Sequence, residues 1–151
     1  MVGVFFVGDL APDDNWVVPS PDSPATLPQR CPCMSGEAYI DCCGPLHAGA
    51  ATAPTAERLM RSRFSAFAVG DAEYLLRTWH PSTRPDSLEL DSAQRWTRLD
   101  IVRTVRGGPF DGDGVVEFTA HSISEGERHQ QHETSRFVRL DRQWFYVDAL
   151  D

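Results

Sequence analysis

Cys31, Cys33, Cys42 and Cys43 are the only cysteines in a chain of 151 residues, and all four fall within thirteen consecutive positions. Two closely spaced thiol pairs joined by a short loop can converge on one tetrahedral cation, with metal–sulfur distances of about 2.3 Å for zinc. Soft thiolates suit zinc or an iron–sulfur cluster and discourage magnesium or calcium. Structural disulfides are the remaining alternative, but they need an oxidising compartment. Adjacent Cys42 and Cys43 cannot easily bond to each other. One zinc ion per chain is the expectation, held by Cys31, Cys33, Cys42 and Cys43.

The string C-P-C-M-S-G-E-A-Y-I-D-C-C-G, residues 31–44, resembles the SEC-C motif. That motif is the small zinc knuckle found at the C-terminus of the SecA translocase motor and in many other bacterial proteins. The match covers both cysteine pairs, Ser35-Gly36, Tyr39 and Gly44. It departs at Met34, where the family usually has glycine, so a positive φ there would strain the methionine. His47 follows four residues after Cys43 and could replace one cysteine, although four thiolates already fill a tetrahedral shell.

The elements that must position this motif read as follows. Residues 1–28, with Pro12, Pro19, Pro21, Pro24 and Pro28, suggest an extended or variable leader. Residues 29–47 form the knuckle and 48–54 a small-residue linker. Residues 55–151 form an α+β domain. Thr55 caps a helix that carries Leu59, Met60, Phe64 and Phe67 at helical spacing and closes at Gly70. Asp71 caps a second helix running through Trp79, with Tyr74, Leu75 and Trp79 inward and Pro81 as the stop. Residues 91–106 mix helical and strand signals, Leu99, Ile101 and Val105 favouring a strand. Strands follow at Val115–Ile123, His129–Leu140 and Gln143–Ala149, the last two joined by the two-residue turn Asp141-Arg142. Asp111-Gly-Asp113-Gly reads as a hairpin turn. A calcium loop starting at Asp111 would need an acid at its twelfth position, which is Ser122.

Net charge is −8 at pH 7, and every one of the fourteen basic residues is arginine. The acidic balance argues against generic binding to nucleic-acid phosphates. Without lysine there is no Schiff-base chemistry, no lysine nucleophile and no Walker-type phosphate loop. No apolar run reaches the roughly 18 residues of a membrane helix, and Val2–Val7 is too short and lacks the basic flank of a secretory signal. Together with metal-type cysteine spacing, this points to the cytoplasm. The Arg58, Arg61 and Arg63 stripe reads as a solvated helix face.

The second half resembles the YchJ-like family of small bacterial proteins. The residues that carry this are L-M-R-S-R-F-S-A-F (59–67), Y-L-L-R-T-W-H-P-S-T-R (74–84), H-E-T-S-R-F-V-R (132–139) and W-F-Y-V-D (144–148). The resemblance implies a cystatin-like, nuclear-transport-factor-two-like cone, in which helices pack on a curved antiparallel sheet.

Arg63 lies near the apolar stripe of the first helix and must be paired if buried. Glu133, an acid in mid-strand, is the expected partner, either as a structural ion pair or as a pocket pair that binds a polar ligand. His80, with Ser82, Thr83 and Arg84 nearby, could act as an acid or base, or cap the helix end. His121, His129 and His132 sit on neighbouring strands, but His129 and His132 point to opposite faces, which argues against a second metal site. Trp144 and Tyr146 share one strand face as core or pocket wall.

Two functional expectations result. The first is a cytoplasmic zinc protein whose knuckle docks a protein partner. SecA uses its similar knuckle to contact the chaperone SecB and ribosomes, so the resemblance implies secretion, folding or translation quality control. The alternative is a small-molecule receptor, or an isomerase or dehydratase, using Arg63, His80 and Glu133 in the cone pocket. An open cavity of roughly 300 Å³ on which these side chains converge would favour it.

Overall fold

The computed structural model describes residues 29–150; the expected leader, 1–28, lies outside the described residues. A bridge between Arg30 and Ala38 opens this part of the chain. A 3-10 turn (Tyr39–Asp41) and the short helix α1 (Cys43–His47) follow, then α2 (Ala56–Val69) and α3 (Ala72–Arg77). The remainder is a meander of β1 (Gln94–Arg106), β2 (Asp113–Ser124), β3 (Glu127–Leu140) and β4 (Gln143–Ala149). The four strands form one antiparallel sheet in the order β1-β2-β3-β4. This is the expected α+β cone.

Local chemistry sets the helix ends. Thr55 Oγ1 accepts from Arg58 N at 3.1 Å and opens α2, and Asp71 Oδ1 accepts from Tyr74 N at 3.0 Å and opens α3. Each bond satisfies one of the amides that the first turn leaves free. The second helix does not reach Trp79 as its periodicity suggests; it stops at Arg77. Beyond it the backbone joins the sheet edge: Tyr146 N donates to Thr78 O at 2.9 Å and His80 N to Tyr146 O at 2.8 Å. A strand edge with open amides outcompetes another helical turn.

The ambiguous stretch 91–106 is strand from Gln94, and its ambiguity has a cause. Register shifts between Trp96 and Arg98, and again between Ile101 and Arg103, interrupt the two-residue alternation that marks a strand. A third shift lies between Arg136 and Phe137 on β3. Such bulges bend the strands and give the sheet its curve. By contrast β2 alternates cleanly, burying Val116, Phe118, Ala120 and Ser122 on the helix side. Asp141 and Arg142 turn with φ of 50° and 67°, both left-handed, as a two-residue hairpin requires.

The main core gathers Leu59, Phe64, Leu75, Val116, Phe137 and Trp144 between α2, α3 and the sheet. The N-terminus of α2 sits directly on the β1–β2 end, where Ala56 N donates to Gly107 O at 3.0 Å. A Cβ on Gly114 would lie 2.5 Å from Gly107 Cα and 3.4 Å from Ala56 Cβ. Only glycine permits that approach. The stretch 48–54 is tied to the core at its end: Ala53 is buried and Pro54 O accepts from Trp144 Nε1 at 3.2 Å. A second, separate cluster holds Cys31, Cys33, Tyr39, Cys42 and Cys43, with Val69 of α2 against it. No helix among the described residues is long and apolar enough to cross a membrane.

Candidate metal centre and cone cavity

The chain brings its four cysteines together as their spacing requires. Cys31 N donates to Glu37 O at 2.8 Å and Met34 N to Cys31 O at 3.3 Å, folding the first pair into a tight turn. Met34 stands at the crest of that turn with φ of 72°, so methionine does occupy a glycine-type conformation. Cys42 and Cys43 follow at the end of the 3-10 turn and the start of α1. Gly44 is required next: a Cβ there would meet Tyr39 O at 2.8 Å and the Tyr39 ring at 3.3 Å.

All four cysteines are buried, none is in a disulfide, and their sulfurs lie within 4.8 Å of one another. Cys33 Sγ and Cys42 Sγ are 3.7 Å apart. A tetrahedral ion at about 2.3 Å from each sulfur has sulfur–sulfur edges of about 3.8 Å, so the donor set fits one ion. The sulfurs compete for protons. Hydrogen bonds from Cys33 and then Cys43 hold the Cys31 thiol far below the usual range, while the bonds that Cys43 makes to Cys31 and Cys33 push Cys43 far up. Burial, foremost, raises Cys42. A cation that replaces the shared protons satisfies all four sulfurs at once.

The surrounding shell comes largely from α2, and this the sequence reading missed. Arg58 donates from Nη1 to Cys43 Sγ at 3.5 Å and from Nη2 to Cys42 O at 2.8 Å. Burial opposes its charge, but the bond to Cys43 and the field of Cys43, Cys42 and Cys33 outweigh that and raise its pKa. Arg61 Nη1 donates to Cys33 O at 2.7 Å, and Ser65 Oγ lies 3.4 Å from Cys31 Sγ. The arginine stripe is therefore not a solvated face. Its signal was the recurrence of Arg58, Arg61 and Ser65 three and four residues apart, on one face beside a cysteine motif.

His47 is not a ligand, because both ring nitrogens are engaged. Ser62 O can only accept, so Nε2 donates to it at 2.9 Å, and Nδ1 then accepts from Tyr39 OH at 2.6 Å. Burial lowers the His47 pKa. Ser62 Oγ continues the network to Tyr74 OH at 2.7 Å.

A cavity of about 280 Å³ opens in the cone. Arg63 and Glu133 both line it, but they do not form the expected ion pair. Arg63 Nη1 donates to Leu75 O at 2.8 Å and Thr78 Oγ1 at 2.7 Å. Its guanidinium carbon stands 4.6 Å from the Tyr146 ring centre and 5.2 Å from that of Trp79. Only 3% exposed, Arg63 has its pKa lowered by burial to about 10. Tyr146 stands between the two charges and donates from its hydroxyl to Glu133 Oε2 at 3.2 Å. The physical reason is packing: an aromatic ring from β4 fills the space that a direct contact would need.

His80 lies outside this cavity. Its Nδ1 accepts from Ser82 N at 3.0 Å, with Ser82 Oγ at 2.7 Å, so it organises the turn after Trp79. His121 Nε2 is 2.9 Å from Asp100 Oδ2 and His132 Nε2 is 2.7 Å from Glu117 Oε2. Among the described residues only the four cysteines form a cluster suited to a metal. Trp144 is core, whereas Tyr146 is cavity wall.

Fold and site together define a class: a SEC-C-type cysteine knuckle clamped onto a nuclear-transport-factor-two-like cone. Residues 55–149 match the family model described as the YchJ middle NTF2-like domain. A UPF0225 protein of Streptomyces coelicolor is 54% identical over 79% of this chain and 93% of its own length. One from Chromobacterium violaceum is 49% identical over 80% and 91%. The solution structure of a SEC-C motif containing protein from Rhodopseudomonas palustris superposes with a TM-score of 0.70 at 32% identity, covering 79% of this chain and 95% of that one. The chain belongs to the YchJ-like family.

Proposed function

We propose that this is a cytoplasmic zinc protein whose knuckle is a docking module for a protein partner in secretion, folding or translation quality control. The observation that carries the metal part is the buried set of four sulfurs within 4.8 Å of one another. Thiolate donors at this spacing suit one zinc ion better than a cluster of several irons, whose ligands spread over more metal atoms. Four protein ligands close the shell, so the ion stabilises the fold and leaves no position for a substrate.

Docking is supported by the knuckle's outer surface. Met34 and Ile40 are exposed there, although both are large and apolar. The acidic chain favours a protein partner over a nucleic acid. The relatives with SEC-C motifs bring the analogy with the SecA knuckle, an argument from likeness of motif.

Elemental analysis of freshly purified reduced protein tests the first part, with about one zinc per chain expected. Metal-free protein, or a disulfide found by mass spectrometry, would overturn it. Pull-downs from a cytoplasmic extract with wild type, Cys42→Ser and Met34→Ser/Ile40→Ser test the second. A specific partner should be lost with both variants. A partner retained by both would place docking elsewhere.

A further inference from the structure

The cone cavity carries a hydrogen-bond donor that the described residues do not satisfy. Trp79 lines it, and Trp79 Nε1 is buried without an acceptor among the described residues. Arg63 uses Nη1 on Leu75 O and Thr78 Oγ1. Among the described residues no carboxylate forms an ion pair with its guanidinium; two π faces flank it instead. A buried charge without a contacting counter-charge is costly, as is an orphaned donor.

The acceptor side differs. Glu133 already receives Ser135 Oγ at 2.6 Å, Tyr146 OH at 3.2 Å and Gln131 Nε2 at 3.2 Å. Three donors already occupy this carboxylate, which favours a receptor over an isomerase or dehydratase. The rest of the wall is mostly aromatic, beside Met60 and Ala120, with Phe64 and Phe67 against Trp96 at ring-centre distances of 5.9 and 5.8 Å. At about 280 Å³ the cavity lies near the lower end of ligand pockets, which suits one ring with a short substituent.

We infer that the cone cavity is a receptor for a small aromatic carboxylate, its oxygens taken by Arg63 and Trp79 Nε1 and its ring seated among Phe64, Phe67 and Trp96. Glu133 acts on Arg63 only across the cavity, so a ligand carboxylate supplies the direct contact, and the planar guanidinium fork matches its two oxygens. This site is independent of the knuckle, so its failure would leave the zinc reading untouched.

The test uses the full-length protein titrated with phenylacetate, phenylacetamide and phenethylamine, followed by NMR of the indole N–H signals and by calorimetry. Phenylacetate should bind and move the Trp79 indole signal. The neutral amide and the amine should bind at least about tenfold more weakly, since a charge-assisted bond is lost. Trp79→Phe keeps an aromatic wall and removes only the orphaned donor. It should fold with an unchanged or higher melting temperature and weaken phenylacetate about tenfold. Arg63→Lys keeps the charge without the fork and should also weaken it. Failure of all three probes to bind at millimolar concentration would overturn the receptor. Equal binding of the amide, or full affinity in Trp79→Phe, would overturn the carboxylate assignment alone.

Discussion

Arg58 of α2 reaches Cys43 of the knuckle, placing Nη1 3.5 Å from the sulfur while Nη2 holds the Cys42 carbonyl. One side chain from the cone thus reaches both the second cysteine pair and the turn that presents it. A positive charge on a bound thiolate offsets the negative charge that four cysteines bring to an ion.

Arg58→Met should therefore weaken the proposed zinc site about 10- to 100-fold, the usual effect of losing an outer-shell partner. Competition with a chromophoric chelator reads this directly. Arg58→Lys, which keeps the charge but cannot make both hydrogen bonds at once, should fall between. Unchanged affinity in both would reduce Arg58 to a mechanical strap.

Chelation should lower the melting temperature without abolishing a cooperative transition. The knuckle cysteines form a cluster apart from the main core, so the cone keeps its own apolar contacts. Thermal melts followed by circular dichroism, with and without chelator, check this. Complete loss of the transition would show that the cone cannot fold without its knuckle.

The placement of Tyr146 between Arg63 and Glu133 predicts weak direct coupling of the two charges. In a double-mutant cycle, Arg63→Met and Glu133→Gln should couple by only about 0.5–1 kcal/mol, well under a contacting buried pair. Tyr146→Phe removes the hydroxyl that donates to Glu133. It should be clearly non-additive with Glu133→Gln in denaturant unfolding. Strong Arg63–Glu133 coupling would mean that the charges meet in solution.

Stability should fall on both sides of neutrality. Burial lowers the His47 pKa in the folded state, so the unfolded chain binds a proton more readily. Its contribution is complete above about pH 6.5 and is lost as pH falls below that value. Burial raises Tyr39 and Tyr146 to about 12. The unfolded tyrosines ionise near pH 10, so stability is lost as pH rises above about 10. Unfolding curves across pH should show both limbs, and His47→Gln should flatten only the acid one.

Met34→Gly should stabilise the knuckle. Methionine holds φ of 72° and is 52% exposed, so glycine relieves strain and gives up little packing. A left-handed non-glycine residue costs about 1–2 kcal/mol, and glycine's extra freedom in the unfolded chain returns part of that. A net gain of roughly 0.5–1 kcal/mol should appear in chemical unfolding. A loss would show that the Met34 side chain makes a contact worth more than the strain.

Features written in a few neighbouring residues were legible before any coordinates. Cys31, Cys33, Cys42 and Cys43 declare their convergence by spacing, because a short loop cannot carry the two pairs far apart. Strand β4 and the Asp141-Arg142 turn emerged with the expected bounds, since hairpin chemistry is local. Met34 was readable as strained for the same reason: its conformation depends on the turn in which it sits.

Tertiary structure decided what depends on partners distant in sequence. Trp79 has helical spacing, yet an open strand edge near Tyr146, 67 positions along, takes its backbone. Arg58 and Arg61 resemble a solvated stripe until the knuckle folds back over them. Arg63 and Glu133 do face one cavity, but whether they touch is set by the width of the Tyr146 ring between them. Pairing, coverage and cavity shape are sums over contacts made only when the sheet closes on the helices, and local periodicity carries no record of them.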